Sequence, residues 1–234
     1  MRAAALVCAA LAGGGALLLP GSATPGTEPD SLIVARWAHV VLSTTAREAP
    51  RATARPITVV KSATPEGETN LVRVLGLRTD AVLRDWARIQ LAILPHGSSG
   101  WVPRSALGAM HHVRTQLVVD RKRFRATLWR GNRVVFRARI GVGQTRWPTP
   151  RGEFYVREKL AGFDDPFYGP VAFGTSARSR ILTDWPGGGY IGIHGTSVPD
   201  LIPGRISHGC IRLRNADVLR LARLMPLGTP ISIR

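Results

Sequence analysis

Apolar and polar residues alternate along much of this chain with the two-residue period of strands that bury one face. Residues 57–60 and 71–77 have that character, separated by the turn residues Thr64-Pro65-Glu66-Gly67. Ala87, Ile89, Leu91 and Ile93 then alternate with Arg88, Gln90 and Ala92, and Gly97-Ser98-Ser99-Gly100 closes a hairpin into Trp101-Val102-Pro103. The period returns from Thr115 in residues 116–119, 125–129 and 133–140, with Arg130-Gly131-Asn132 as a tight turn, and Phe154-Tyr155-Val156 reads as another strand. One convincing helical stripe follows: Val218, Leu221, Ala222 and Met225, with Asn215 as N-cap, Asp217 at the positive helix start, and Pro226 and Gly228 as the stop. Residues 229–234 read as a closing strand. The pattern predicts a mainly β protein with a small all-β unit over residues 51–110, a larger β-rich unit over 113–234 and one C-terminal helix.

Three stretches break the alternation. Residues 1–23 start with one positive charge, run almost without a polar side chain from Ala3 to Leu19, and end in Pro20-Gly21-Ser22-Ala23, the layout of a secretory signal peptide; an uncleaved anchor is the alternative. Residues 24–50, rich in Pro, Thr, Ser and Ala, read as a linker with one helical turn in an apolar patch over 32–42. Residues 159–189 hold Phe163, Phe167, Tyr168, Phe173, Trp185 and Gly187-Gly188-Gly189 without a regular period, and read as a long irregular insertion. Their position just before residues 190–194 suggests the wall and lid of a groove, with Tyr168, Trp185 and Tyr190 as liners; packing of the lid alone would use the same rings.

Composition narrows the class. The 234 residues carry a formal net charge of +17, almost wholly from arginine, since only Lys61, Lys122 and Lys159 are lysines. No helix-turn-helix, RNP-like or zinc-finger pattern accompanies that charge, and the arginines are spread through every segment, so nucleic acid is not the expected partner. Attraction to anionic envelope polymers and a bare compositional preference for arginine both fit. Loss of the leader would leave Cys210 as the single thiol, which cannot form an internal disulfide and so favours a reactive role.

Candidate chemistry gathers at Ile191-Gly192-Ile193-His194-Gly195-Thr196 and Ser207-His208-Gly209-Cys210-Ile211-Arg212-Leu213. A thiol becomes a nucleophile by losing its proton, and an imidazole within hydrogen-bond reach is the usual base. An inert core cysteine and a zinc site from His194, His208 and Cys210 are the competing readings; the polar loop around Cys210 argues against the first, and the absence of C-x-x-C and H-E-x-x-H against the second.

These I-H-G-T and S-H-G-C-I-R-L strings resemble the signature of the L,D-transpeptidases, cysteine enzymes of bacterial peptidoglycan with a YkuD-type catalytic domain. Gly141-Val142-Gly143 through Thr149-Pro150-Arg151-Gly152-Glu153-Phe154 is similar to a further segment of that family, so the likeness covers the chain from about residue 113. Asp85-Trp86-Ala87-Arg88-Ile89 followed by Gly100-Trp101-Val102-Pro103 resembles the bacterial SH3-like (SH3b) domain. The implied fold is a small SH3-like barrel followed by a β-rich catalytic domain.

The resemblance implies that Cys210 is the nucleophile and His194 its base, without cofactor or metal. Gly195 has no side chain, so its carbonyl is the expected orienter of His194, with the Thr196 hydroxyl as a weaker candidate. Gly209 and Cys210 N–H groups are candidates for the oxyanion donors, and His208 fixes the loop or acts as an alternative base. Arg212 would fork onto a substrate carboxylate or hold the loop through a buried ion pair; some members carry Asn in its place. Ser207, Tyr168, Trp185 and Tyr190 complete the expected substrate contacts. The implied substrates are peptidoglycan peptide stems met outside the cytoplasm, with transfer to an amine, hydrolysis and an inactive wall-binding module as the open outcomes.

Overall fold

A computed structural model of the protein describes residues 35–161, 165–182 and 189–234. The leader over 1–23 and Trp185 lie outside the described residues. Among the described residues seventeen strands fall into two sheets within one compact unit.

The first sheet comprises β1 (Ala35–His39), β2 (Thr44–Arg47), β3 (Pro56–Val60), β4 (Leu71–Thr79), β5 (Asp85–Gln90), β6 (Ser99–Pro103) and β7 (His111–Val113), in the order β3-β2-β6-β5-β4-β1-β7. Its antiparallel pairs curl around Ala38, Val40, Ala46, Val72, Val74, Ala87, Ile89 and Val102. Residues 35–47 are therefore not linker. Ala38, Val40 and Ala46 are fully buried, and the short β1 pairs with both β4 and β7, so burial and ladder bonds fix a segment too short to announce a period. This sheet runs from 35 to 113, wider than the 51–110 expected.

The second sheet comprises β8 (Thr115–Asp120), β9 (Arg125–Arg130), β10 (Arg133–Arg139), β11 (Gly141–Gly143), β12 (Gly152–Ala161), β13 (Val171–Arg178), β14 (Tyr190–His194), β15 (Gly204–Ser207), β16 (Ile211–Arg212) and β17 (Pro230–Ile233). Their order is β10-β9-β8-β17-β12-β13-β14-β16-β11-β15. The helix α1 (Asn215–Leu224) lays Val218 and Leu221 into the core these strands enclose, followed by Met225. Among the described residues, no helix is long and apolar enough to cross a membrane.

The described residues of the insertion expected over 159–189 include regular structure. β12 extends to Ala161 and β13 occupies the middle of the sheet, buried on both faces, so its sequence V-A-F-G-T-S-A-R shows no alternation to read. A 3-10 turn, Pro166–Tyr168, joins them. Asn215 also departs from expectation: Arg214 holds the N-cap position without a side-chain bond, and the Asn215 amide serves the site below.

Polar bonds cross between the sheets. Gln90 Nε2 donates to the Glu153 carbonyl at 2.6 Å, the buried Tyr155 hydroxyl donates to the Gln90 carbonyl at 3.3 Å, and His96 Nε2 lies 2.8 Å from the Arg178 carbonyl. Only two ion pairs occur among the described residues, Arg55–Glu48 and Arg123–Asp120. Arginines stack on rings instead: Arg146 on Trp147, Arg157 and Arg178 on Tyr190, Arg212 on Phe167, and Arg220 on Phe136.

Gln90→Ala should test the joint. It removes the donor to Glu153 from a buried position, and such a loss costs about 1–2 kcal/mol. The urea midpoint should fall accordingly; an unchanged midpoint would mean the crossing bond contributes nothing.

Candidate active site

Two short strands set the site. β14 and β16 pair in parallel, Ile193 opposite Ile211 and His194 opposite Arg212. Because side chains alternate across a strand, Ile191, Ile193, Ile211 and Leu213 all turn into the core, each at most 2% exposed, and Gly192, His194, Cys210 and Arg212 share the other face. Gly192 lies beside both the thiol and the imidazole, with room for a methyl group at ordinary van der Waals contact. A Cβ there would lie 3.8 Å from both Cys210 Sγ and His194 Cδ2, so thiol and imidazole converge over a position with no side chain. The Gly192 N–H donates to Sγ at 3.3 Å.

The loop before Cys210 is closed by hydroxyls. Ser207 Oγ accepts from the Gly209 N–H at 3.1 Å and donates to the Cys210 carbonyl at 2.5 Å, so the one proton of this buried hydroxyl at the cleft is given within the loop. Gly209 sits at φ +123, a backbone conformation open to glycine and strained for other residues. Thr149 Oγ1 accepts from the Gly143 N–H at 2.8 Å and donates to the Gly209 carbonyl at 2.7 Å. That carbonyl and the Cys210 N–H belong to one planar peptide and point in opposite directions, so Thr149 also aims the Cys210 N–H. The Gly209 N–H, already given to Ser207, is not available as the sequence reading supposed.

His194 is oriented from the backbone. Its Nδ1 lies 2.8 Å from the Gly195 carbonyl, which makes Nδ1–H the donor and leaves Nε2, bonded to Cδ2, as the basic nitrogen on the side near the thiol. The following peptide is held in turn, because the Thr196 N–H donates to Asn215 Oδ1 at 2.9 Å. A Cβ on Gly195 would collide with that oxygen, which explains glycine beside the histidine. Neither Asn215 nor Thr149 was singled out as a site residue; the only signals were the helix-start pattern and the T-P-x-G string.

Burial and one cation govern the charges. His194 is lowered from the ordinary histidine value to about 4, first by burial and then by the Arg212 charge, against the Gly195 bond that raises it. Burial pushes the Cys210 thiol up, with the Gly192 N–H and Arg212 opposing. Both shifts favor the uncharged forms of the resting pair, thiol and imidazole. Arg212 is 5% exposed, forms no ion pair among the described residues, stacks on Phe167 at 4.2 Å and leaves Nε without a hydrogen-bond partner. Among the described residues no carboxylate forms the buried ion pair.

Around this center lie the rings. Tyr168 and Phe167 stand 5.2 and 5.9 Å from the His194 ring, and Phe167 was not foreseen as a liner. His208 lies against Trp147 at 4.0 Å. Tyr168, Tyr190, His208 and Phe167 line the cleft that holds His194, Cys210 and Arg212.

Fold and site define a β-sheet protein with a histidine at the end of one strand and a cysteine just before the parallel strand beside it. Residues 114–233 match YkuD, the L,D-transpeptidase catalytic domain, and with half of the chain so matched the protein belongs to that family. A Bacillus licheniformis protein named for the L,D-transpeptidase YkuD is 37% identical over 106 residues, 45% of this chain and 57% of that one. Its Bacillus subtilis (strain 168) namesake is 36% identical over 107 residues, 46% of this chain and 58% of that one. A Salmonella typhimurium protein named for the L,D-transpeptidase ErfK/SrfK is 28% identical over 223 residues, 86% of this chain and 71% of that one. The match spans little more than half the length of the two Bacillus relatives.

Two pH measurements follow from these charges. Alkylation of Cys210 by a small electrophile should be slower at pH 7 than that of an ordinary thiol of pKa about 8.5, and should still be climbing above that value. Arg212→Met should move the profile further up; a plateau below pH 7 would mean that the thiol is already ionised at rest. For His194, the folded value lies below the unfolded one, so between roughly pH 6.5 and about 4 the unfolded chain binds the proton that the folded chain refuses. Stability should fall as pH drops through that window, and His194→Gln should flatten the slope in denaturant titrations.

Proposed function

We propose that the protein is an acyltransferase with Cys210 as nucleophile and His194 as general base, acting on peptidoglycan peptide stems. The observation that carries this reading is the convergence of Sγ and the imidazole beside Gly192, next to a pinned peptide and a buried guanidinium whose Nε has no hydrogen-bond partner among the described residues. Arg212 receives a carboxylate of the stem. That bond offsets the charge that helps to hold His194 low, so substrate binding strengthens the base.

As Sγ attacks the carbonyl carbon of an L-centre joined to a D-residue, its proton passes to His194 Nε2 and the S–C bond forms. The carbonyl electron pair moves onto oxygen, where the Cys210 N–H receives it. Collapse breaks the C–N bond, and His194 returns the proton to the departing amine, leaving a thioester. An acceptor amine then attacks, giving its proton to His194; the new C–N bond forms, the C–S bond breaks and Sγ takes the proton back. With water in place of the amine the same steps are hydrolysis.

Residues 1–23 act in this reading as an export signal that places the enzyme outside the cytoplasm. The first sheet, over 35–113, serves as an SH3-like module that positions the catalytic sheet on the wall, and the basic surface adds attraction to anionic wall polymers.

Mass spectrometry with a defined tetrapeptide stem should show an acyl adduct on the wild type and none on Cys210→Ala; an adduct on that variant would remove the covalent mechanism. Adding an amine distinguishes transfer from hydrolysis by the product mass. Thr149→Val, which frees the Gly209–Cys210 peptide, should lower kcat by about tenfold to a hundredfold, part of the 10²–10³ that loss of an oxyanion donor costs. Unaltered turnover would show that the peptide needs no such restraint.

A further inference from the structure

A groove of about 370 Å³ lies between the two sheets, walled by Gln90, Leu91 and Ile93 on one side and by Tyr155, Arg157, Arg178 and Tyr190 on the other. That volume is in the range of small-ligand sites. Its most unusual feature is a ring between two cations: the Tyr190 ring has the Arg157 guanidinium 4.2 Å from its centroid and that of Arg178 at 4.7 Å. Arg157 projects from β12, Arg178 ends β13 and Tyr190 begins β14, with Arg178 and Tyr190 paired in register.

Arg157 is only 3% exposed, makes no ion pair among the described residues, and leaves its buried Nη1 without a hydrogen-bond partner. A buried cationic donor left unmet is costly and calls for an acceptor. The neighboring Glu158 does not supply it. Its carboxyl is itself buried, is held above the usual carboxylate range chiefly by that burial, and leaves Oε2 unpartnered. The groove thus offers positive charge, a planar fork and one aromatic wall, the features that recognise a carboxylate.

Tyr190 also lines the cleft that contains Cys210 and His194. One side chain is therefore the partition between groove and reaction center, its hydroxyl 3.4 Å from the Ala92 carbonyl of the opposite wall. A molecule seated in the groove lies one ring away from the thiol. That is too far for the acyl group under attack, but suits the tail of a second substrate whose amine reaches past Tyr190. Arg212, on the thiol's own strand face, serves the first substrate.

We infer that this groove binds the carboxylate of the acceptor amine, with Arg157 and Arg178 as its anchors and Tyr190 as the wall between that carboxylate and Cys210. The inference rests on the acyl-transfer reading above, and names where its second substrate sits.

The test compares two acceptors on the whole protein, 6-aminohexanoate and 6-aminohexanamide, whose amine stands five methylenes from the tail and which differ in whether a carboxylate is present. After acylation by a tetrapeptide stem, the wild type should show a KM for the acid at least tenfold below that for the amide. Arg157→Met should raise the KM of the acid about tenfold or more while leaving that of the amide in place, and Arg178→Met should do the same to a smaller degree. Acylation of Cys210 without acceptor, followed by mass, reports separately on the first half-reaction. Equal KM values for acid and amide in the wild type would overturn the inference even if Arg157→Met failed to fold. So would an equal rise for both acceptors in the variants. A stem that never acylates Cys210 would instead overturn the acyl-transfer reading on which the inference stands.

Discussion

The parallel register of β14 against β16 is the constraint on which the site depends. Two strands of five and two residues, with Ile193 opposite Ile211, deliver four apolar side chains to the core and four chemical positions to the opposite face. A slip by one residue would exchange the two sets, burying His194 and Cys210 among hydrophobes and exposing isoleucines. Core burial and site assembly are thus one event. Everything else nearby acts on the ends of these strands: Asn215 holds the turn after His194, and Ser207 with Thr149 holds the turn before Cys210.

Burial of that face sets its electrostatics. Low dielectric keeps both thiol and imidazole neutral, and Arg212 sharpens the effect by opposing a second positive charge on His194 while favoring a thiolate. The same cation therefore pulls the two partners in opposite senses. A site of this kind rests in its least charged state, which limits oxidation of the thiol when no substrate is present, since the thiolate is the reactive form.

Strands with one wet face were legible in the sequence, because alternation is a local property: β8, β9 and β10 lie within a residue or two of where the pattern put them. β13 was not, since a strand covered on both faces has no alternation to show. β1 and β2 were hidden by brevity in a segment of loop-like composition. Cys210, His194, Arg212 and the Gly195 carbonyl could be found as candidates from residue type and spacing, and the structure brings them together. Thr149 could not, because its partner Gly209 is sixty residues away in sequence and nothing local signals a hydroxyl that clamps a distant peptide. Asn215 was misplaced for a related reason: its amide could cap its own helix or reach the turn at Thr196, and only tertiary contact decides.

The scarcity of ion pairs has a consequence for how the protein responds to salt. Two ion pairs, neither of them fully buried, occur between described residues, while five arginines rest on aromatic faces, where contact and dispersion supplement charge. Raising ionic strength therefore removes little that holds the fold together. The long-range field of a chain with net charge +17 is another matter, since at about 0.15 M it decays over roughly 8 Å. Brine would leave this molecule folded and merely blind to distant polyanions, separating where it goes from whether it stays intact.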